Sequence, residues 1–187
     1  REQLAAQAQR LGFNQQLTLD VQGRVGSLEL PYNDLDFARA AAGFQDSKLS
    51  VFGGAQLALT VANGGKVLPM HFVDEDPDVA SKRAFGTRTA RRMRKAMEVT
   101  AHSGTARDSF VKPNGKGQLG PIQVAGKTGT LRPHRKAPTA SWFVGFAPSQ
   151  APRIVVSVLL QNPEKWHQKG HQLARDLLAA YFKRSPL

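Results

Sequence analysis

The most regular pattern of apolar and polar positions lies in the last third of the chain. Small and β-branched residues predict strands over 123–130, 140–147 and 153–161, joined by short proline-containing turns. Leucines and aromatic residues at helical spacing then predict a helix over 170–182. Its predicted inward face carries Leu173, Leu177, Leu178 and Tyr181. Strands joined by short turns favour an antiparallel meander, and the helix that follows can cover one face of it.

The first two thirds of the chain alternate between helical spacing and turn residues. Apolar spacing predicts helices over 1–11, 35–42, 55–62 and 89–101. We expect Gly53-Gly54 to open the third helix, Asn63-Gly64-Gly65 to close it, and Thr89 to cap the fourth. The predicted inward face of the fourth helix carries Ala90, Met93, Met97 and Thr100. Short extended pieces are expected around 17–21 and 25–30.

Together these elements predict an α+β fold in a single domain. We expect helices and loops over 1–120, and the three-stranded sheet with its covering helix over 121–187. The acidic residues of 74–78 predict a surface loop, and the Gly, Pro and Lys content of 108–120 predicts a mobile one. Because the chain begins at Arg1 inside an apparent helix, we expect it to be a piece of a longer protein.

Composition narrows the possible function classes. The chain has 187 residues and no cysteine, which excludes thiol catalysis, a disulfide scaffold and a cysteine-based zinc site. No apolar run approaches the roughly 20 residues needed to cross a bilayer. The formal net charge of +12 predicts attraction to an anionic partner, which leaves nucleic acid, lipid headgroups and cell-wall polymer open.

Three other places in the chain carry residues typical of binding sites. The segment 82–95 holds seven basic residues, but Phe85 is its single aromatic residue and no nucleic-acid motif is present, so we favour a solvated helix face. His167 and His171 are spaced to share a helix face, yet Glu164 is the only other nearby ligand, and we expect neither a metal nor a cofactor. His134 lies in the predicted basic turn 133–138, where we expect contact with solvent.

The segment that carries recognisable chemistry is the first strand of the predicted sheet. Gly126 and Gly129 flank Lys127 and Thr128, and glycine in a strand interior suggests that a ligand or another backbone approaches closely. Lys127 supplies a cation, Thr128 and Thr130 supply hydroxyl donors, and an open strand edge supplies amides. Together they suit a peptide carboxylate laid alongside the strand. For the Lys-Thr-Gly triplet alone, a solvated lysine beside a turn would be the better interpretation.

The surroundings of the triplet resemble those in penicillin-binding proteins. Lys-Thr-Gly is the third signature of penicillin-binding proteins and serine β-lactamases. Ala140 to Pro148 is similar to the strand that follows the triplet in penicillin-binding transpeptidases. Ser103-Gly104-Thr105-Ala106 resembles the helix end that precedes it, and 49–65 resembles a helix that ends in Asn-Gly-Gly. Matched segments in the right order are far more specific than the triplet alone.

This resemblance implies the C-terminal part of a β-lactamase/transpeptidase-like fold and a peptidoglycan D,D-transpeptidase activity. It implies that Lys127 completes an electrostatic pocket, while Thr128 and Thr130 bind the terminal carboxylate of a D-Ala-D-Ala stem peptide or a β-lactam. Gly129 would let the substrate approach, and the Thr130 N–H would be one of two oxyanion-hole donors.

The resemblance also implies partners outside this chain. In the family, Ser-x-x-Lys with the nucleophile and Ser-x-Asn precede the matched segments, so we expect the rest of the domain to supply both and this chain alone not to acylate. We expect a cell-envelope location on the extracytoplasmic side, a membrane reached only through an N-terminal anchor elsewhere, and no nucleic acid. The alternatives are a serine β-lactamase or β-lactam sensor of the same fold, and a non-catalytic module that binds the envelope or nucleic acid.

Overall fold

The computed structural model describes residues 1–17, 23–43, 47–70, 80–132, 137–163 and 167–186. The chain divides into two compact units, Arg1–Thr87 and Arg88–Leu187. The predicted acidic loop at 74–78, His134 and Glu164 lie outside the described residues. Within the described residues, no helix combines the length and apolar character that crossing a bilayer requires.

The first unit consists of helices and short antiparallel strand pairs. Its helices are α1 (Glu2–Arg10), α2 (Asp34–Ala41) and α3 (Val51–Ala62). Its strands are β1 (Gln16–Leu17), β2 (Gly23–Arg24), β3 (Gly26–Leu28), β4 (Ser47–Leu49), β5 (Lys66–Val67) and β6 (Lys82–Arg83). They pair as β1–β2, β3–β4 and β5–β6.

Helix α3 begins at Val51, earlier than the predicted start at Ala55. Ser50 caps it, since the Ser50 Oγ accepts a hydrogen bond from the Gly53 N–H at 2.8 Å. Gly53 therefore lies in the first turn, where a Cβ would collide with the carbonyl of Val25. This glycine marks a close approach of two backbones and not the start of the helix. The predicted end is confirmed, because Gly64 and Gly65 both have positive φ after the last turn.

The second unit is built around the predicted sheet. It contains helices α4 (Thr87–His102), α5 (Arg107–Phe110) and α6 (Gly170–Arg184) and strands β7 (Ala125–Leu131), β8 (Thr139–Ala147) and β9 (Ile154–Asn162). The strands form an antiparallel sheet in the order β7-β8-β9, and α6 packs on it. The predicted α+β class, the meander and the terminal helix are confirmed.

The core of this unit lies between the sheet and the helices. Phe143 of β8 is fully buried, and its ring centroid is 5.4 Å from that of Phe110. Helix α6 contributes Ala174, Leu178 and Phe182 to the same cluster. The predicted inward position of Leu177 is wrong, because this side chain is 48% exposed. A four-residue spacing from Gly170 through Ala174 and Leu178 brings the small residues against the sheet and turns Leu177 to solvent.

The inward face of α4 also differs from the prediction. The helix starts at Thr87, so Thr89 lies inside it and does not cap it. Ala90 and Ala101 are buried, whereas Met93 is 42% exposed. The inward-facing side of α4 includes the partly buried Arg94, whose Nε lies 3.7 Å from Glu98 Oε1. Alanines and an ion-paired arginine therefore occupy the inward-facing side of α4, where hydropathy predicted Met93.

The segment 108–120, which the sequence predicts as a mobile loop, forms several backbone hydrogen bonds. Its first residues belong to α5, and Val111 forms an isolated bridge with Gly117. Between them the Lys112 N–H donates to the Lys116 carbonyl at 2.8 Å, and the Gly115 N–H donates to the Lys112 carbonyl at 2.9 Å. This tight turn leads the chain back toward β7.

Candidate functional site

The candidate site lies on strand β7, which forms one edge of the described sheet. On its inner side the strand pairs with β8, and Thr128 lies opposite Phe143 while Thr130 lies opposite Ser141. Lys127 and Thr130 are exposed, and Thr128 is half-buried. All the predicted site residues therefore fall on one continuous strand, with an edge that no other described strand covers.

The two glycines of the strand have different explanations. A Cβ on Gly126 would overlap the ring of Phe143, which the core holds fully buried. The absence of a side chain at Gly126 is thus explained by core packing and not by a ligand. A Cβ on Gly129 would lie 3.2 Å from the Trp142 Cβ, a tight contact but not an overlap. Gly129 remains the glycine whose bare surface could serve an approaching peptide.

Lys127 and Thr128 send their side chains in different directions. Consecutive residues of a strand point to opposite faces, so the Lys127 stem and the Thr128 hydroxyl leave the strand on opposite sides. The Lys127 Nζ then turns back and donates to the Thr128 carbonyl at 2.7 Å. The ammonium group is consequently held against the strand backbone while the lysine stays exposed.

Thr105 joins the site through a hydrogen bond between two hydroxyls. Its Oγ1 lies 2.6 Å from the Oγ1 of Thr128, and either atom can be the donor. The turn after α4 positions it, because the N–H groups of Ser103 and Gly104 both donate to the Val99 carbonyl, at 2.9 and 2.8 Å. Thr105 lies in one of the segments that resemble the family, but its neighbours in sequence predict no role for it, and no local spacing signals a pairing with Thr128.

These groups together offer hydrogen-bond donors and a positive charge that suit an anion. Each hydroxyl has one proton, so when one of the paired threonines donates to the other, the accepting hydroxyl keeps its proton for a further acceptor. The exposed Lys127 adds a positive charge, and a strand edge offers backbone N–H groups to an extended peptide. The arrangement suits a chain end that carries a carboxylate.

Ser109 and Lys112 have the Ser-x-x-Lys spacing that we expected to find only outside this chain. Ser109 is 1% exposed, and its Oγ lies 2.7 Å from the Nδ1 of His171, while Lys112 is exposed. A nucleophile must reach its substrate, but this hydroxyl is enclosed between α5 and α6. The spacing is therefore a coincidence, and the Ser109–His171 bond is a structural contact in the core.

The two histidines that we weighed as metal ligands have different environments. His167 is exposed and precedes α6, whereas His171 is 8% exposed and its Nδ1 is bonded to Ser109. Burial is the main reason that the pKa of His171 is lowered from 6.5, with the positive charge of Lys169 acting in the same direction. Among the residues with described positions, no three metal-binding side chains come together.

The lowered pKa of His171 makes stability depend on pH in a defined window. Because the folded protein binds this proton less readily than the unfolded chain, stability should fall as the pH drops below about 6.5 and continue to fall until the folded pKa is passed. Asp108 opposes the shift, and Arg175 supports it. Urea unfolding between pH 7.5 and about 5 should show this slope in the native protein.

Two variants isolate the contribution of His171. His171→Gln should flatten the slope, since glutamine does not titrate, while His167→Gln should retain it because that side chain is exposed. An unchanged slope in His171→Gln would assign the pH dependence to other groups.

Comparison with known proteins relates the chain to one family. A family model described as "Penicillin binding protein transpeptidase domain" matches residues 1–182. The chain is 31% identical over 134 residues to peptidoglycan D,D-transpeptidase PbpA of Mycobacterium tuberculosis, covering 64% of this chain and 26% of that protein. It is 26% identical over 197 residues to stage V sporulation protein D of Bacillus subtilis, covering 95% of this chain and 29% of that protein.

A solved structure shows the same fold. The structure of penicillin-binding protein A from M. tuberculosis, described as an imipenem acyl-enzyme complex, superposes with a TM-score of 0.78 at 24% identity. The match covers 97% of this chain and 42% of that one. The chain thus spans about a quarter of the length of the curated relatives it matches.

Proposed function

This chain belongs to the penicillin binding protein transpeptidase domain family, and on that premise we propose that it forms the carboxylate-binding part of a peptidoglycan D,D-transpeptidase. Relatives named peptidoglycan D,D-transpeptidases support the activity. The observation that carries the proposal is the Thr105–Thr128 hydrogen bond at the open edge of β7. It fixes the direction of a hydroxyl on the Lys-Thr-Gly strand before any substrate is present.

The substrate in this proposal is the D-Ala-D-Ala end of a stem peptide, laid along β7 as an additional strand. Its terminal carboxylate accepts hydrogen bonds from the hydroxyls of Thr128 and Thr130, and Thr105 donates to Thr128 so that the Thr128 proton points outward. Lys127 leaves the Thr128 carbonyl and adds its positive charge to the pocket. Gly129 keeps the surface free of a Cβ where the peptide approaches.

The reaction is an acyl transfer through a covalent intermediate. A serine from the rest of the protein attacks the carbonyl between the two D-alanines, and the negative charge that develops on the carbonyl oxygen is stabilised by the backbone N–H of Thr130. The C–N bond breaks, a proton passes to the leaving nitrogen, and D-alanine departs. The amine of a neighbouring stem peptide then attacks the acyl-serine ester and releases the serine, which completes the cross-link.

A β-lactam would occupy the same place, since it also carries a carboxylate beside the bond that is attacked. The imipenem complex of the M. tuberculosis protein is described as an acyl-enzyme, which supports this part of the proposal. Peptidoglycan transpeptidases act in the cell envelope. For this protein we propose the extracytoplasmic side of the cytoplasmic membrane, with the remaining part of the transpeptidase domain as its immediate structural partner.

Covalent labelling by a fluorescent penicillin tests the function. The complete gene product should form an adduct that survives denaturation and that unlabelled penicillin prevents. Thr105→Val should slow labelling by roughly 2- to 10-fold, because the Thr128 hydroxyl loses one hydrogen bond that orients it. Thr105→Ser keeps the hydroxyl and should label at close to the native rate.

The outcomes separate the proposed function from its details. If the complete gene product forms no adduct, the catalytic proposal is wrong. Normal labelling by both Thr105 variants would leave the activity standing but remove Thr105 from the site. Rapid release of the adduct as hydrolysed penicillin would indicate a serine β-lactamase instead of a transpeptidase.

A further inference from the structure

The outer face of α4 carries a stripe of cations. Arg88, Arg91, Arg92 and Lys95 follow one another at spacings that place them on one side of a helix, and all four are exposed. Within the described part of the chain, the ion pairs include none of these side chains. We call this surface the cationic stripe. It concentrates four unneutralised charges within about 10 Å of helix axis.

A groove continues from the C-terminal end of the stripe. It has a volume of about 630 Å³ and lies between the second half of α4 and residues 110–124. Its lining is largely apolar and includes Val99, Phe110, Leu119, Ile122 and Val124. Lys95 belongs to both the stripe and the groove. Val99 is 58% exposed and lines the groove, so apolar surface is accessible there.

The acidic side chain in the groove does not offset the positive field. Glu98 lines the groove, but its Oε1 lies 3.7 Å from Arg94 Nε and accepts a hydrogen bond from Gln150 Nε2 at 3.0 Å. The negative charge of Glu98 is therefore already paired with Arg94. The groove presents an apolar floor with a positive rim at Lys95.

We propose that the cationic stripe and this groove form a docking surface for an acidic peptide segment that carries a bulky apolar side chain. The carboxylates lie over Arg88, Arg91, Arg92 and Lys95, and the apolar side chain enters the groove beside Val99. Charge complementarity and size support this occupant. From Arg88 to Val99 the helix runs about 16 Å, which an extended peptide of about five residues covers.

Other occupants fit the surface less well. A small molecule would fill the groove and leave most of the stripe uncovered, while a flat anionic membrane would cover the stripe and leave the groove empty. Single-stranded nucleic acid would need aromatic side chains for stacking, and α4 carries no Phe, Tyr or Trp. A nucleic-acid duplex would contact the arginines and Lys95 and leave the apolar groove empty. The docking surface does not depend on the role of β7.

Binding of synthetic peptides to the complete gene product tests this surface. The probes are fluorescein-labelled peptides with four acidic residues, one glycine, and Leu-Phe at either the C-terminal or the N-terminal end, because the direction of binding is open. We expect one of them to bind saturably by fluorescence anisotropy. The double variant Arg91→Glu/Lys95→Glu should weaken it at least about tenfold, since it places repulsive charges against the acidic residues. Val99→Asp should weaken it similarly by making the groove polar.

The matched control reverses two exposed charges elsewhere. Lys183→Glu/Arg184→Glu at the end of α6 changes the net charge by the same amount and should leave binding within about twofold. An equal loss in this control would overturn the proposal, because binding would then follow net charge alone. The proposal also fails if neither peptide binds, if a peptide without Leu-Phe binds equally well, or if anionic vesicles bind the protein and the peptides do not. Thermal unfolding of each variant verifies that the fold is intact, and Val99→Ser replaces Val99→Asp if the latter is unstable.

Discussion

Replacing Thr130 by proline is expected to slow penicillin acylation of the complete protein by roughly 10²- to 10³-fold, the usual effect of removing one oxyanion-hole donor. Proline lacks the backbone N–H that we propose stabilises the developing oxyanion. Strand β7 lies at the edge of the described sheet, and an edge strand tolerates proline where its N–H points away from the neighbouring strand. The substitution should therefore impair acylation far more than it impairs folding.

The matched variant Thr130→Val separates the amide from the side chain. It retains the N–H and loses only the hydroxyl, so it should slow acylation by no more than about tenfold, as expected for the loss of one hydrogen bond. The two rates are measured with fluorescent penicillin, and thermal unfolding is followed in parallel. Equal losses in both variants would rule out the amide as a donor. A large loss of stability in the proline variant would show instead that this N–H pairs with the strand at Ser141.

Gly126→Ala should cost about 1–3 kcal/mol of unfolding free energy, although it adds a single methyl group to a strand. The new Cβ would overlap the ring of Phe143. That ring is fully buried and packs against Phe110, so close packing of the core opposes its displacement. Urea unfolding measures the loss directly.

Gly129→Ala is the matched control on the same strand. Its Cβ would stand 3.2 Å from the Trp142 Cβ, so a shift of a few tenths of an ångström accommodates it and the loss of stability should be clearly smaller. Combining Gly126→Ala with Phe143→Leu should cost less than the sum of the two single changes, because the smaller side chain leaves room for the methyl group. Equal losses at the two glycines, or strict additivity, would show that the overlap is relieved in another way.

The strands of the second unit could be predicted from the sequence, but several helix faces could not. Runs of small and β-branched residues determined β7, β8 and β9 almost to their ends, since strand alternation and turn residues are local signals. Hydropathy wrongly predicted that Met93 and Leu177 face inward, because the helices contact their neighbours through alanines. Close packing selects small side chains at such contacts, and an apolarity scale ranks them below leucine and methionine.

The start of α3 was missed for a related reason. Gly53 and Gly54 were interpreted as a helix boundary, yet a backbone contact with Val25 from a distant part of the chain requires the glycine. Ser50 carried the correct local signal as a helix cap. A glycine needed by a tertiary contact cannot be told from a boundary glycine by its neighbours in sequence alone.

Only part of the candidate site could be predicted from the sequence. The Lys-Thr-Gly strand was found because its residues are adjacent, and the structure places them on a single edge strand. Its partner Thr105 was not found as a site residue, because the turn that ends α4 brings it to Thr128. Ser109 and Lys112 show that the reverse mistake is possible too, since their spacing matches a catalytic motif while Ser109 is buried. Spacing alone does not tell whether a side chain is accessible.

The Phe143 ring beneath Gly126 also limits how this strand can evolve. A side chain at position 126 disturbs the core first, so any variant there is removed by selection for folding before its effect on ligand binding is felt. Positions 105, 128 and 130 carry exposed or half-buried side chains that can change at a lower cost in stability. On the proposed role of β7, heritable changes in the preference for one β-lactam over another should therefore accumulate at the threonines, while Gly126 should stay invariant among functional descendants.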